Sequence, residues 1–157
     1  MDNDLLRIPV KSDAISENVK KAVIATEDEN FETHNGVVPK AVLRATLGSV
    51  VGVGSSSGGS TITQQLIKQQ VVGDAPTFKR KATEIVDALA LERYMSKDDI
   101  LTTYLNVSPF GRNNKGQNIA GVEEAAQGIF GVSAKDLTVP QSAFIAGLPQ
   151  SPIVYSP

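Results

Sequence analysis

AVIATEDENFETHNG, residues Ala22 to Gly36, decides how the chain is read, because it puts a carboxylate on what the spacing makes the apolar face of a helix. Ser16 suits an N-cap, and Val19, Ala22, Val23 and Thr26 follow at the i, i+3, i+4, i+7 spacing of an amphipathic helix. Glu27 is next on that stripe. With the helix continued to about residue 31, Phe31 and His34 fall on the same side, so acid, aromatic ring and imidazole face one cavity. Asp28 then points about 100° away and has a supporting role. A carboxylate in such a place must be paired, hydrogen-bonded or functional.

Working outward, residues 1–15 hold one short extended candidate, Leu5 to Val10, and Pro9 confines it to an edge or a linker. The domain proper is expected over residues 16–157. After the Asn35-Gly36 turn, Pro39 is well placed to open a helix running to about Val50. That helix leads into VGVGSSSGGS, whose four glycines and four serines in residues 51–60 predict a mobile loop. The loop lacks the Gly-Lys-Ser/Thr ending of a phosphate-cradling P-loop, which excludes that reading. Ser60 or Thr61 caps a helix to about Val72. On it Thr61, Gln65 and Lys68 share a polar face opposite Ile62 and Leu66, which would suit an anionic ligand. Further helices are expected over about 77–94, with Ile85, Val86 and Leu89 inward, and over 96–106, 119–130 and 138–147. The last opens on a Thr138 to Gln141 capping box. Residues 107–116 read as a turn-rich loop. The sum is a mainly α domain of seven or so helices.

Composition narrows the function classes. The 157 residues are 41% hydrophobic and 20% charged with a net charge of −2, a globular balance. No Lys/Arg run with interleaved aromatics occurs, so nucleic acid is not an expected partner. Without cysteine and with one histidine, disulfide scaffolds and thiolate or poly-histidine metal sites are excluded. No run of about 18 apolar residues is present, so the chain is expected either to be soluble or to begin after an anchor.

Five ordered motifs carry a resemblance. Glu27-Asp28-x-x-Phe31-x-x-His34-x-Gly36, Gly58-Gly59-Ser60-Thr61-Ile62-Thr63-Gln64-Gln65, Arg80-Lys81-x-x-Glu84, Lys97-x-x-Ile100-x-x-x-Tyr104-Leu105-Asn106, and Ala146-Gly147-Leu148-Pro149 with Pro152 resemble those of the family 51 peptidoglycan glycosyltransferases. These are the glycan-polymerising domains of class A penicillin-binding proteins and of monofunctional transglycosylases. The resemblance implies a lysozyme-like α fold with a larger head lobe, a smaller membrane-facing jaw (about 37–60) and a cleft between them. It implies polymerisation of lipid II into β-1,4 glycan with inversion and release of undecaprenyl pyrophosphate, on the extracytoplasmic face of the bacterial plasma membrane. It further implies the growing glycan strand and moenomycin-type inhibitors as partners, with a following C-terminal transpeptidase domain in class A parents. No cofactor is required, with a divalent cation (Mg or Mn) as an option. Glu27 corresponds to the family's general base, and Glu84 to the carboxylate supporting the second substrate or the leaving pyrophosphate. Asp28, Phe31, His34, Ser60, Thr61, Gln64, Gln65, Lys68, Lys79, Arg80 and Lys81 make up the expected substrate-binding set. Gln69 departs from the Asn often found after the second motif's Lys.

Chemistry agrees with that assignment. A sugar hydroxyl is a poor nucleophile, and a carboxylate within hydrogen-bond reach must take its proton as the new bond forms. A leaving pyrophosphate needs cations, for which Lys68, Arg80 and Lys79 are candidates, while Lys81 is placed to neutralise Glu84. His34 reads as a structural hydrogen-bonder; Lys97, Tyr104, Asn106 and the Gly147-Leu148-Pro149 turn read as fold-defining. Two rivals remain. A lysozyme-like hydrolase would use the same two carboxylates with water as acceptor, but has no use for the cations. A non-catalytic helical interaction domain leaves the Glu27 face unexplained. Separately, Leu47, Val50, Val51 and Val53 are expected to form an exposed apolar patch that touches the membrane.

Overall fold

The computed structural model describes residues 5–6, 9–40, 60–70, 78–112 and 118–150. The expected helix to Val50, the Gly/Ser loop, nearly all of the expected jaw and the proposed apolar patch lie outside these residues. Pro39 and Lys40 are helical, at the predicted start of that helix.

Six α-helices are present among the described residues: α1 (Glu17–Glu27), α2 (Ile62–Gln70), α3 (Phe78–Tyr94), α4 (Lys97–Val107), α5 (Val122–Ala125) and α6 (Val139–Gly147). Their starts follow the capping chemistry in the sequence. The Ser16 side chain accepts the Asn18 N–H at 3.0 Å and donates to the Leu137 carbonyl at 3.0 Å, so one hydroxyl caps α1 and ties it to the segment before α6. Ser96 caps α4, and Thr138 with Gln141 forms the expected capping box on α6. Helix α1 buries Val19 and Val23 against α6, while Ile62 and Leu66 of α2 pack with Ile100, Tyr104 and Leu105 of α4. Each such aliphatic side chain contributes roughly 1.5–3 kcal/mol by leaving water.

Three features differ from expectation. Pro109–Arg112 (β2) and Asn118–Ala120 (β3) are strands, not loop and helix start, and they join Leu5–Leu6 (β1) in a sheet of order β1-β3-β2. β1 runs parallel to β3, and β2 antiparallel to it. Strands this short carry no readable period, and β1 lies more than a hundred residues from its partner in sequence. Secondly, α5 begins at Val122 and continues as a π-helical turn over Ala126–Phe130, stopping at Gly131 in the left-handed region (φ 69°). Thirdly, Val86 and Leu89, expected inward, are exposed, and Ala88 is the buried apolar residue of α3.

Asn106 explains its own place in the fourth motif. Its side chain accepts the Val10 N–H at 2.9 Å and donates to the Val10 carbonyl at 2.8 Å, pairing with the N-terminal segment as a strand neighbour would.

Candidate active site

Helix α1 ends at Glu27, not near residue 31. Asp28 has left helical geometry (φ −166°, ψ 77°), and residues 29–34 form turns. The helical spacing that put Glu27, Phe31 and His34 on one face therefore does not apply. Phe31 is fully buried, its ring 5.9 Å from His34 in an edge-to-face arrangement, so it supports the loop from beneath.

Asp28, expected to point away in a supporting role, is the joint between two motifs. Its Oδ2 accepts His34 Nε2 at 2.7 Å and the Ile62 N–H, the first amide of α2, at 3.0 Å. A carboxylate at a helix N-terminus is favourable on both hydrogen-bond and dipole grounds. Nδ1 of His34 accepts the Gly36 N–H at 2.9 Å, which places the donated hydrogen on Nε2 and occupies both ring nitrogens inside the protein. That is the structural hydrogen-bonding role expected of His34. Lys97 closes the loop from the other side: its Nζ donates to the His34 carbonyl at 2.7 Å and to Glu92 at 2.8 Å, and lies 4.6 Å from the centre of the Phe31 ring.

Gly36 shows why the first motif ends as it does. Its φ is +114°, and a Cβ there would come within 2.8 Å of the Ala88 carbonyl oxygen, a backbone atom of α3 that cannot swing aside. Backbone strain and overpacking each cost about 1–3 kcal/mol, so Gly36→Ala is expected to destabilise the domain by roughly 2–5 kcal/mol. Thermal unfolding checks this; an unchanged Tm would mean that the loop is free to move off α3.

Helix α2 organises the two carboxylates. Thr61 Oγ1 accepts the Gln64 N–H at 3.0 Å and the Gln64 side-chain oxygen accepts the Thr61 N–H at 3.0 Å, a capping box that the sequence contains and that sequence reading reduced to a single cap. The Thr61 hydroxyl also donates to the Gly36 carbonyl at 2.6 Å. Thr61 is thus buried and engaged, and of the expected polar face of Thr61, Gln65 and Lys68, Gln65 is half-buried and Lys68 exposed. With its oxygen held in the cap, Gln64 turns its NH₂ to Glu84 Oε1 at 3.3 Å. Its neighbour Gln65 donates to Glu27 Oε1 at 3.1 Å, and Tyr104 O–H donates to the Gln65 oxygen at 2.9 Å. Two consecutive glutamines each hold one of the two acids.

Lys81 makes the predicted pair with Glu84 at 2.9 Å and also donates to Ser60 Oγ at 3.3 Å. This is not a solvated surface pair, since the Glu84 side chain is only 12% exposed. Lys68, near the end of α2, and Lys79, near the start of α3, are exposed, and Arg80 is half-buried. Glu92 was missed by sequence reading. It receives Thr63 Oγ1 at 2.8 Å as well as Lys97, and its signal was its place at i+8 from Glu84 with buried Ala88 between them.

The transglycosylase family profile matches residues 2–157. The chain belongs to the transglycosylase family. Among curated relatives, penicillin-binding protein 1A of Clostridium perfringens (strain 13) is 41% identical over 99% of this chain and 23% of its own length. Penicillin-binding protein 1F of Bacillus subtilis is 40% identical over 96% of the chain and 20% of its own length. Penicillin-binding protein 2a of Streptococcus pneumoniae (strain R6) is 42% identical over 91% and 18% respectively. The chain spans about a fifth of the length of these relatives. Transglycosylase membership makes glycosyl transfer in peptidoglycan synthesis this domain's class of chemistry. Among the described residues no helix is long and apolar enough to cross a membrane, and no group of three or more acidic or histidine side chains is placed to hold a metal ion.

Proposed function

We propose that this transglycosylase domain polymerises lipid II into β-1,4-linked glycan, inverting the donor's anomeric carbon and releasing undecaprenyl pyrophosphate. The observation that carries the reading is the pair of glutamine-held acids, Glu27 through Gln65 and Glu84 through Gln64, at the start of one helix. The 4-hydroxyl oxygen of an incoming GlcNAc attacks the anomeric carbon of the growing strand. The bond from that carbon to the pyrophosphate oxygen breaks, the electron pair leaves with the pyrophosphate, and the hydroxyl proton passes to Glu27. A fixed amide donor at Oε1 holds the carboxylate without competing as a base. Glu84, neutralised by Lys81, orders the neighbouring polar surface, and Lys68, Arg80 and Lys79 offset the charge that develops on the leaving group.

In this reading the described helices belong to a lysozyme-like fold that works at the extracytoplasmic face of a bacterial plasma membrane. The growing glycan strand and moenomycin-type phosphoglycolipids are its further ligands in this reading, and a transpeptidase domain would follow in the parent protein.

Incubation with purified lipid II in detergent, with the products resolved, tests the proposal. Polymer supports it; free disaccharide would mark a hydrolase, and unchanged substrate a binding module. The cations add a second expectation. Lys68→Ala should reduce turnover about 10- to 100-fold, the worth of one charge-assisted hydrogen bond, with Tm unchanged. Lys97→Ala should instead lower Tm, because it removes the ties to His34 and Glu92. Equal small losses of turnover in both would reduce Lys68 to surface charge.

A further inference from the structure

Tyr104 is 1% exposed, sits on α4 and belongs to a motif that reads as structural, yet its hydroxyl is separated from the first motif's acid by a single side chain. Gln65 lies between them, and its amide can face two ways. One side meets the Glu27 carboxylate at 3.1 Å and the Ser60 carbonyl at 3.4 Å, both acceptors, so the NH₂ must point there. The amide oxygen then points at the Tyr104 hydroxyl, which must donate to it, at 2.9 Å. Every atom in the chain has one workable role.

We propose that Tyr104 is a positioning residue for the base: by donating to the oxygen of Gln65 it locks the amide so that its NH₂ holds Glu27 Oε1. The inference rests on the reading of Glu27 as the base. Burial, reinforced by the negative charge of Glu27, pushes the Tyr104 phenol well above its ordinary value, so it remains a protonated donor throughout the working range. The phenol is anchored by a ring packed in the core beside Ile100 and Leu105, whereas the long Gln65 side chain alone would leave its amide free to shift. Without the hydroxyl, the NH₂ still faces its two acceptors, but the amide has lost the anchor on its oxygen, so Glu27 is held in a wider range of positions. Rate enhancement by a general base depends on such placement, and losing it lowers kcat while leaving substrate binding in place.

Tyr104→Phe keeps the ring and removes the donor. The expected result is a fall in kcat for lipid II polymerisation of about 5- to 30-fold with KM within about twofold. In a Gln65→Ala background, where the intermediary is gone, the same substitution should cost less than about twofold more, the non-additivity of groups acting through one another. Factors that multiply, or a Tyr104→Phe enzyme with wild-type kcat, would overturn the positioning role while leaving the function of the domain intact. A wild-type domain that forms no polymer would overturn the base reading, and this inference with it. Should Tyr104→Phe lower Tm enough to obscure the rates, the side-chain amide signals of Gln65 by NMR decide: loss of their protection supports the chain, and unchanged signals overturn it.

Discussion

Glu27→Gln is expected to reduce polymerisation by on the order of 10²–10⁴-fold while leaving the fold intact. The substitution keeps the shape and the oxygen that can accept from Gln65, and exchanges the basic oxygen for an amide that cannot take a proton. Because Glu27 is half-buried at the last position of α1, no core contact is lost, and Tm should stay within about 2 °C of the wild type. Lipid II binding should be little changed, since the loss lies in the transition state. Near-normal turnover in the Gln variant would show that another group takes the proton.

The second large effect is expected at Asp28, and it is one of stability first. Asp28→Ala leaves the His34 ring and the Ile62 N–H without their shared acceptor in a site where Asp28 is only 8% exposed. Losing two hydrogen bonds to a charged acceptor, at about 1.5–3 kcal/mol each, costs roughly 3–6 kcal/mol in all, a large share of the roughly 5–15 kcal/mol that holds a domain folded. For a chain of this size that lowers Tm by roughly 6–24 °C. Activity should fall as well, because the Asp28 link registers α2, and so Gln64 and Gln65, against the end of α1 that carries Glu27. Asp28→Asn should be intermediate, as its one remaining side-chain oxygen cannot present a charge to both donors. A Tm within about 2 °C of the wild type for the Ala variant would mean that water or a neighbouring acceptor replaces the carboxylate.

Much of this arrangement was legible in the sequence, and the misses share a physical cause. Helix starts were readable where a side chain caps its own helix, as at Ser16, Ser96 and Thr138. The end of α1 was not. No Gly or Pro follows Glu27, and the turn at Asp28 is fixed by a carboxylate that satisfies an amide 34 residues away. Local spacing cannot report such a bond. Helix α3 shows the same effect in its faces. The inward stripe of Lys81, Glu84, Ala88 and Glu92 is mostly charged because it serves the site, so the apolar residues Val86 and Leu89, which periodicity assigned to the interior, stand on the outside. Of the site residues, Glu27, Glu84, Gln64, Gln65, Lys81 and Ser60 are brought together around α2, as the motifs led one to expect. Phe31 and Thr61 instead hold the site from within, and Glu92 and Lys97 complete that support.

In the proposed reaction these two glutamine-held acids serve the transfer of a glycosyl group from pyrophosphate to a sugar hydroxyl. Counting undecaprenyl pyrophosphate released against glycosidic bonds formed, in a reaction of the domain with labelled lipid II, tests it most directly. One pyrophosphate released per β-1,4 bond is the expected result, with loss of both together in Glu27→Gln. Pyrophosphate release that produces free reducing sugar without new bonds, or no release at all, would contradict it.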